Sequence, residues 1–167
     1  MHCSSRHPMT SLYRPPRILA IDAIMRKKRQ RFGATLVPTN NSGIRKIYAA
    51  LKRNELVAIL PDQDPRSEGN VFANFFNYPA NTATLLPRLA QKTSAIVIFA
   101  FAERLKQGKG FHLHYLAASN DIYDTDLVKA ATAVNRGVEQ CIALVPEQYQ
   151  WTYKRFKTRP EGEQSFY

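Results

Sequence analysis

Apolar residues return along the 167-residue chain with two periods, one helical and one extended. Ile18, Ile21, Met25 and Phe32 recur at helical intervals before Gly33, which predicts a helix over 18–32 with a glycine stop. Asn40-Asn41-Ser42 can cap a second helix over 43–53, whose stripe is Ile44, Ile47, Tyr48 and Leu51. Two further helices are expected over 82–92, where Pro87 falls in the early turns, and over 126–145, whose apolar face runs from Leu127 to Val145 ahead of Pro146. Strands are expected near 11–14, 35–38, 56–60, 95–102 and 111–116. The runs 56–60 and 95–102 are apolar without interruption and predict strands buried on both faces. Phe111 to Leu116 alternates and follows the turn-forming Lys106-Gln107-Gly108-Lys109-Gly110, as one arm of a hairpin. This order predicts an α/β fold, a mixed sheet flanked by helices, in one domain spanning 1–167, with no repeats and no dividing linker.

Charge changes that picture. The formal net charge is +11, and residues 1–60 hold twelve Lys and Arg against Asp22 and Glu55 alone. Five of these cations, Arg26, Lys27, Lys28, Arg29 and Arg31, crowd the end of the first helix, more than its dipole requires. Such a field suits nucleic acid, an anionic membrane surface, a phosphorylated substrate or an acidic carrier protein. Cys3 and Cys141 lack the spacing of a disulfide framework or metal site, and Cys141 reads as a buried structural thiol. No run reaches the roughly 20 apolar residues of a membrane span.

The candidate chemistry gathers where the run 56–60 stops at Pro61-Asp62-Gln63-Asp64, because ligands bind beyond the carboxyl ends of such strands. An acidic turn of purely conformational origin is the plain alternative. Arg14, set before Pro15-Pro16, presents a planar fork suited to a phosphate or carboxylate, or is a solvated surface arginine. His112 and His114 share one strand face, which becomes metal-like only with a third ligand; no adjacent motif supplies one, so no metal is expected.

Tyr13-Arg14-Pro15, the Pro61–Asp64 turn, Phe75-Phe76, Thr82, and Pro146-Glu147-Gln148-Tyr149 through Trp151 to Arg155-Phe156-Lys157-Thr158-Arg159-Pro160 together resemble the lipid A biosynthesis acyltransferases, within the glycerolipid acyltransferase superfamily. Asn77, Leu85 and Ile98 depart from that family's usual residues. The resemblance implies transfer of a lauroyl- or myristoyl-type chain from acyl carrier protein to a hydroxyacyl group of a Kdo-bearing lipid A precursor, at the cytoplasmic face of the inner membrane, with no cofactor and no metal. It implies Arg14 as an anion clamp, Arg17 and the 26–31 cluster as docking charges, and Asp62, Gln63 and Asp64 as acceptor-binding residues, Asp62 or Asp64 alternatively holding Arg14. The family's catalytic element is His, four residues, then Glu or Asp, an imidazole base held by a carboxylate. None of His2, His7, His112 or His114 has it, so no catalytic residue is assigned. The expectation is an N-terminally truncated, catalytically incomplete form, peripheral at the membrane. A basic nucleic-acid-binding domain and a remnant without function are the rival readings; without a nucleic-acid-binding motif, nucleic acid is not an expected partner.

Overall fold

The computed structural model of the protein describes residues 4–16, 18–65 and 69–167, and the chain divides into two compact units, 1–59 and 60–167.

The first unit runs β1 (Met9–Tyr13), α1 (Leu19–Gln30), β2 (Ala34–Pro38), α2 (Asn41–Lys52) and β3 (Leu56–Ala58). Its strands are parallel in the order β2-β1-β3. The chain crosses from one side of β1 to the other, so β1 is where strand order reverses, and the crevice beyond its carboxyl end is the ligand position of such sheets. Arg14 is the first residue past that end and is exposed. Tyr13, Val37, Ile47 and Ala50 are buried in this unit, and the Tyr13 hydroxyl donates to Asp22 Oδ1 at 2.7 Å, tying β1 to α1. Burial, and then the bond to that carboxylate, raises the Tyr13 pKa. The expected cap forms, with Asn40 Oδ1 accepting from the Gly43 N–H at 3.1 Å. Position 43 must be glycine, since a Cβ there would lie 1.7 Å from the Pro38 carbonyl oxygen where α2 leaves the sheet.

Two expectations are corrected here. The run 56–60 is not a doubly buried strand: only residues 56–58 pair, at the edge beside β1, and Leu56 and Leu60 are 41% and 70% exposed. Helix α1 does not bury its whole stripe either. Ile18, Ile21 and Ile24 are exposed, beside the exposed Arg26, Lys27, Lys28, Arg29 and Arg31.

The second unit runs β4 (Val71–Phe75), β5 (Tyr78–Thr82), α3 (Leu85–Thr93), β6 (Ile98–Arg104), β7 (Phe111–Ala117) and α4 (Leu127–Leu144), with short 3₁₀ turns at Lys106–Gly108, Asn120–Tyr123 and Pro146–Gln148. Two antiparallel hairpins, β4–β5 and β6–β7, pack on α4. The expected single mixed sheet is therefore replaced, among the described residues, by three separate small sheets. Helix α4 starts on Asp126, whose Oδ1 accepts from the Val128 and Lys129 N–H groups. Its apolar face meets Phe75, Ala80, Phe99 and Ile122 in the core, and half-buried Cys141 packs against that core as a structural thiol, with its pKa raised by burial. Gly137 lets β6 approach, because a Cβ there would lie 2.1 Å from the Phe99 ring.

The apolar continuity of 95–102 also misleads. Ile96 and Ile98 are 86% and 57% exposed, because β6 pairs, among the described residues, only with β7 and presents one face, through Phe99, to α4. The β4–β5 hairpin escapes a reading of periodicity because Pro79, Asn74 and Asn81 weaken its strand signal. It closes through Phe76 and Asn77, at φ 49° and 66°, a turn that favours Asn or Gly, and the Phe76 N–H is held by Glu139 Oε1 at 2.7 Å.

Candidate functional site

The polar centre of the second unit is Arg155, 3% exposed. Its guanidinium donates through Nη1 to the Asn81 carbonyl at 2.7 Å and through Nη2 to Thr82 Oγ1 at 3.0 Å and Asn135 Oδ1 at 3.4 Å. The ring of Phe75 lies 5.4 Å from the guanidinium carbon. Burial lowers the Arg155 pKa, against the opposing pull of Tyr149, Asp64, Tyr153 and Asp62. Asn135, the one polar residue at a core position of α4, donates to Thr82 Oγ1 and to the carbonyls of Ala73 and Asn74. Thr82 in turn donates to the Ala80 carbonyl at 2.8 Å. A charged, hydrogen-bonded cluster thus fixes the C-terminal segment against β4–β5.

That segment alternates its side chains by role. Arg155 and Arg159 turn inward; Arg159 donates to the Pro79 carbonyl at 2.7 Å, pairs with Glu163 and lies over Phe166. Phe156 packs on Phe75 and Tyr78. Lys154 and Lys157 remain exposed and line an open pocket of about 670 Å³ together with Asp64, Asn70, Asn81, Gln150, Tyr153 and Thr158.

Asp64 is built into this wall. Its Oδ1 accepts from Asn81 Nδ2 at 3.0 Å, its Oδ2 from Thr158 Oγ1 at 2.9 Å, and its N–H donates to the Tyr153 hydroxyl at 2.8 Å. Asp62 lies half-buried, and its charge is felt at Tyr149 and Arg155. Burial first, and the Asp62 charge second, push the Tyr149 hydroxyl up to about 12. Gln63 is exposed. Of the residues expected at the site, Asp64 lines the pocket, Asp62 and Gln63 precede it in the same unit, Arg14 belongs to the first unit, and Arg17 lies outside the described residues. Arg155, Asn135, Tyr153 and the two lysines received no role from the sequence, although a lone Asn on the apolar face of α4 was a usable signal. A pocket edged by ammonium groups, amides, hydroxyls and a fixed carboxylate suits an anionic ligand that also carries hydroxyls.

Residues 1–158 match the family described as bacterial lipid A biosynthesis acyltransferase. The chain belongs to that family. It is 34% identical over 163 residues to the lipid A biosynthesis palmitoleoyltransferase of Escherichia coli, covering 96% of this chain and 52% of that protein. It is 32% identical over 163 residues to the lauroyltransferase of the same organism, covering 97% and 53%, and 31% identical over 156 residues to a lipid A biosynthesis acyltransferase of Haemophilus influenzae, covering 93% and 48%. The chain spans about half the length of these relatives. The matched range includes the Arg155–Thr158 stretch of this C-terminal segment, which straps across β4–β5, so its inward arginine and outward lysine fall within the family's shared region. No helix among the described residues is long and apolar enough to cross a membrane.

Proposed function

We propose that this lipid A acyltransferase family member binds the acceptor in the transfer of a fatty acyl chain from acyl carrier protein to a hydroxyacyl group of a Kdo-bearing lipid A precursor. In that reaction the acceptor hydroxyl oxygen attacks the thioester carbonyl, an ester C–O bond replaces the C–S bond, and the hydroxyl proton ends on the carrier thiol. The observation that carries the reading is the pocket edged by Lys154, Lys157 and Asp64 in a chain of this family. Ammonium groups attract phosphate and sugar-acid charge; the amides, the Thr158 hydroxyl and Asp64 match sugar hydroxyls. Taken separately, the first unit offers Arg14, past the carboxyl end of β1, as a planar anion clamp, and the second offers Asp62 and Gln63 as acceptor contacts. No residue is assigned the proton-accepting role, because none of His2, His7, His112 and His114 is followed by Glu or Asp at the family's spacing.

The working place is the cytoplasmic face of the inner membrane, held peripherally. Three exposed isoleucines beside five exposed cations on and around α1 favour a lipid surface over nucleic acid, which rewards the charges and not the apolar ridge.

The test joins this chain to the half of the Escherichia coli palmitoleoyltransferase that it does not cover and assays acyl transfer from acyl carrier protein to the precursor. With an active hybrid in hand, Arg14→Ala is expected to cost on the order of 2–4 kcal/mol in kcat/KM, with Lys recovering part of it, and Asp62→Asn to lower turnover. Unchanged activity in Arg14→Ala, Asp62→Asn and Lys154→Ala/Lys157→Ala hybrids contradicts the assignment.

A further inference from the structure

The β6–β7 register sets Glu103 directly opposite His112, and His114 follows two residues on along the same face. Glu103 Oε2 lies 2.7 Å from His114 Nε2 and 3.9 Å from His112 Nδ1, and the two imidazole centroids are 4.3 Å apart. One ligand atom from each of the three residues lies within 4.8 Å of the others. The third ligand that His112-Leu113-His114 lacks in sequence is thus supplied across the strand pair. We propose that Glu103, His112 and His114 form a binding site for a divalent transition metal, zinc in the first instance, which staples β6 to β7.

The donor set decides the class of ion. Two imidazoles and one carboxylate suit zinc, copper or nickel, whereas calcium and magnesium take oxygen shells. Tetrahedral zinc at about 2.0–2.2 Å from each donor separates neighbouring donors by roughly 3.3–3.5 Å. From 2.7 Å the Glu103–His114 pair has to open by roughly 0.6–0.8 Å, and His112 has to close by about 0.5 Å on Glu103 and by up to about 1.5 Å on His114, within reach of side-chain torsions. The mobile partner is the right one: His112 has 63% of its side chain exposed. His114 is held flat against Phe101, centroids 4.6 Å apart and planes at 5°, so one ligand is pre-oriented. Three protein ligands and a solvent-facing fourth position make an open site.

A cross-strand ion pair explains Glu103 and His114 but not His112. The second imidazole, 4.3 Å from the first, turns a nitrogen toward the same carboxylate oxygen. A metal accepts a lone pair from each ring and from the carboxylate, and so accounts for all three groups at once.

The experiment titrates the full 167-residue chain, stripped by a chelator and dialysed, with zinc chloride in a calorimeter, and repeats the titration on His112→Ala, His114→Gln and the double variant. One zinc per chain with a dissociation constant on the order of micromolar is expected, each single variant weakening it about tenfold or more and the double variant abolishing it. Cobalt substitution is expected to give a visible tetrahedral spectrum without a thiolate charge-transfer band. Unchanged zinc binding in the double variant, a thiolate band, or no binding at millimolar zinc overturns the proposal. Trp151 fluorescence checks that the variants keep the fold of their unit.

Discussion

Replacing Arg155 by Met keeps much of the aliphatic volume and removes the guanidinium on which the C-terminal strap is fixed. Two short bonds are lost, to the Asn81 carbonyl at 2.7 Å and to Thr82 Oγ1 at 3.0 Å, together with the longer one to Asn135. Bonds from a charged donor contribute about 1.5–3 kcal/mol each, and the acceptors left behind are themselves buried. Against this, the substitution recovers the desolvation cost that shows itself in the lowered Arg155 pKa. The net expectation is a loss of about 2–4 kcal/mol in the second unit. Trp151 is the only tryptophan in the chain and belongs to that unit, with its Nε1 on the Pro146 carbonyl, so its fluorescence follows this unit specifically. In urea the Trp151 midpoint is expected to fall by roughly 1–2 M at unchanged slope. Arg155→Lys recovers only part, since an ammonium cannot span the two acceptors as the planar fork does. In a double-mutant cycle, Thr82 couples to Arg155 more strongly than Asn135 does, following the shorter distance. An unmoved Trp151 midpoint in Arg155→Met refutes the view that this cluster holds the strap.

Gly137→Ala drives a methyl into the Phe99 ring, 2.1 Å away at the nearest atom, and is expected to destabilise the second unit by about 1–3 kcal/mol, read from the same urea transition, with Phe99→Leu in the same chain relieving part of it. Gly43→Ala meets backbone rather than a ring and is expected to disrupt the first unit, seen as lost hydrogen-exchange protection of β1 and β2 with Trp151 unaffected. Because the Tyr149 pKa is raised to about 12 in the folded chain, its contribution to stability is complete below the unfolded value near pH 10 and is lost as pH rises from 10 to 12. Tyr149→Phe is expected to flatten that alkaline decline, and an identical pH profile would exclude Tyr149 as its source.

Much of the fold was legible because its helices carry both pattern and punctuation. Asn40, Gly33 and Asp126 sit where caps and stops belong, and α1, α2, α3 and α4 form within a few residues of their expected bounds. The sheets were less legible. Continuous apolarity at 56–60 and 95–102 implies burial on both faces, but an edge strand and a hairpin expose several of the same residues to solvent. The β4–β5 hairpin was hidden by Pro79 and its asparagines, whose places are fixed by Asn135 and Arg155 from distant positions in the chain. The site divides along the same line. Asp64 could be read locally, at the end of an apolar run; Arg155 and Glu103 gain their meaning only from partners that folding brings beside them.

On the proposed function, the pocket of the second unit receives the anionic, hydroxyl-bearing headgroup of the acceptor. The most direct measurement is sedimentation of the full chain with vesicles carrying the Kdo-bearing precursor, at low and high salt, beside the Lys154→Ala/Lys157→Ala variant. Each lysine contributes about 1 kcal/mol near an anionic surface, so the double variant is expected to bind roughly 30-fold more weakly at low salt, with the difference shrinking as salt rises. Binding that is equal in the two proteins and indifferent to both the precursor and salt contradicts the claim.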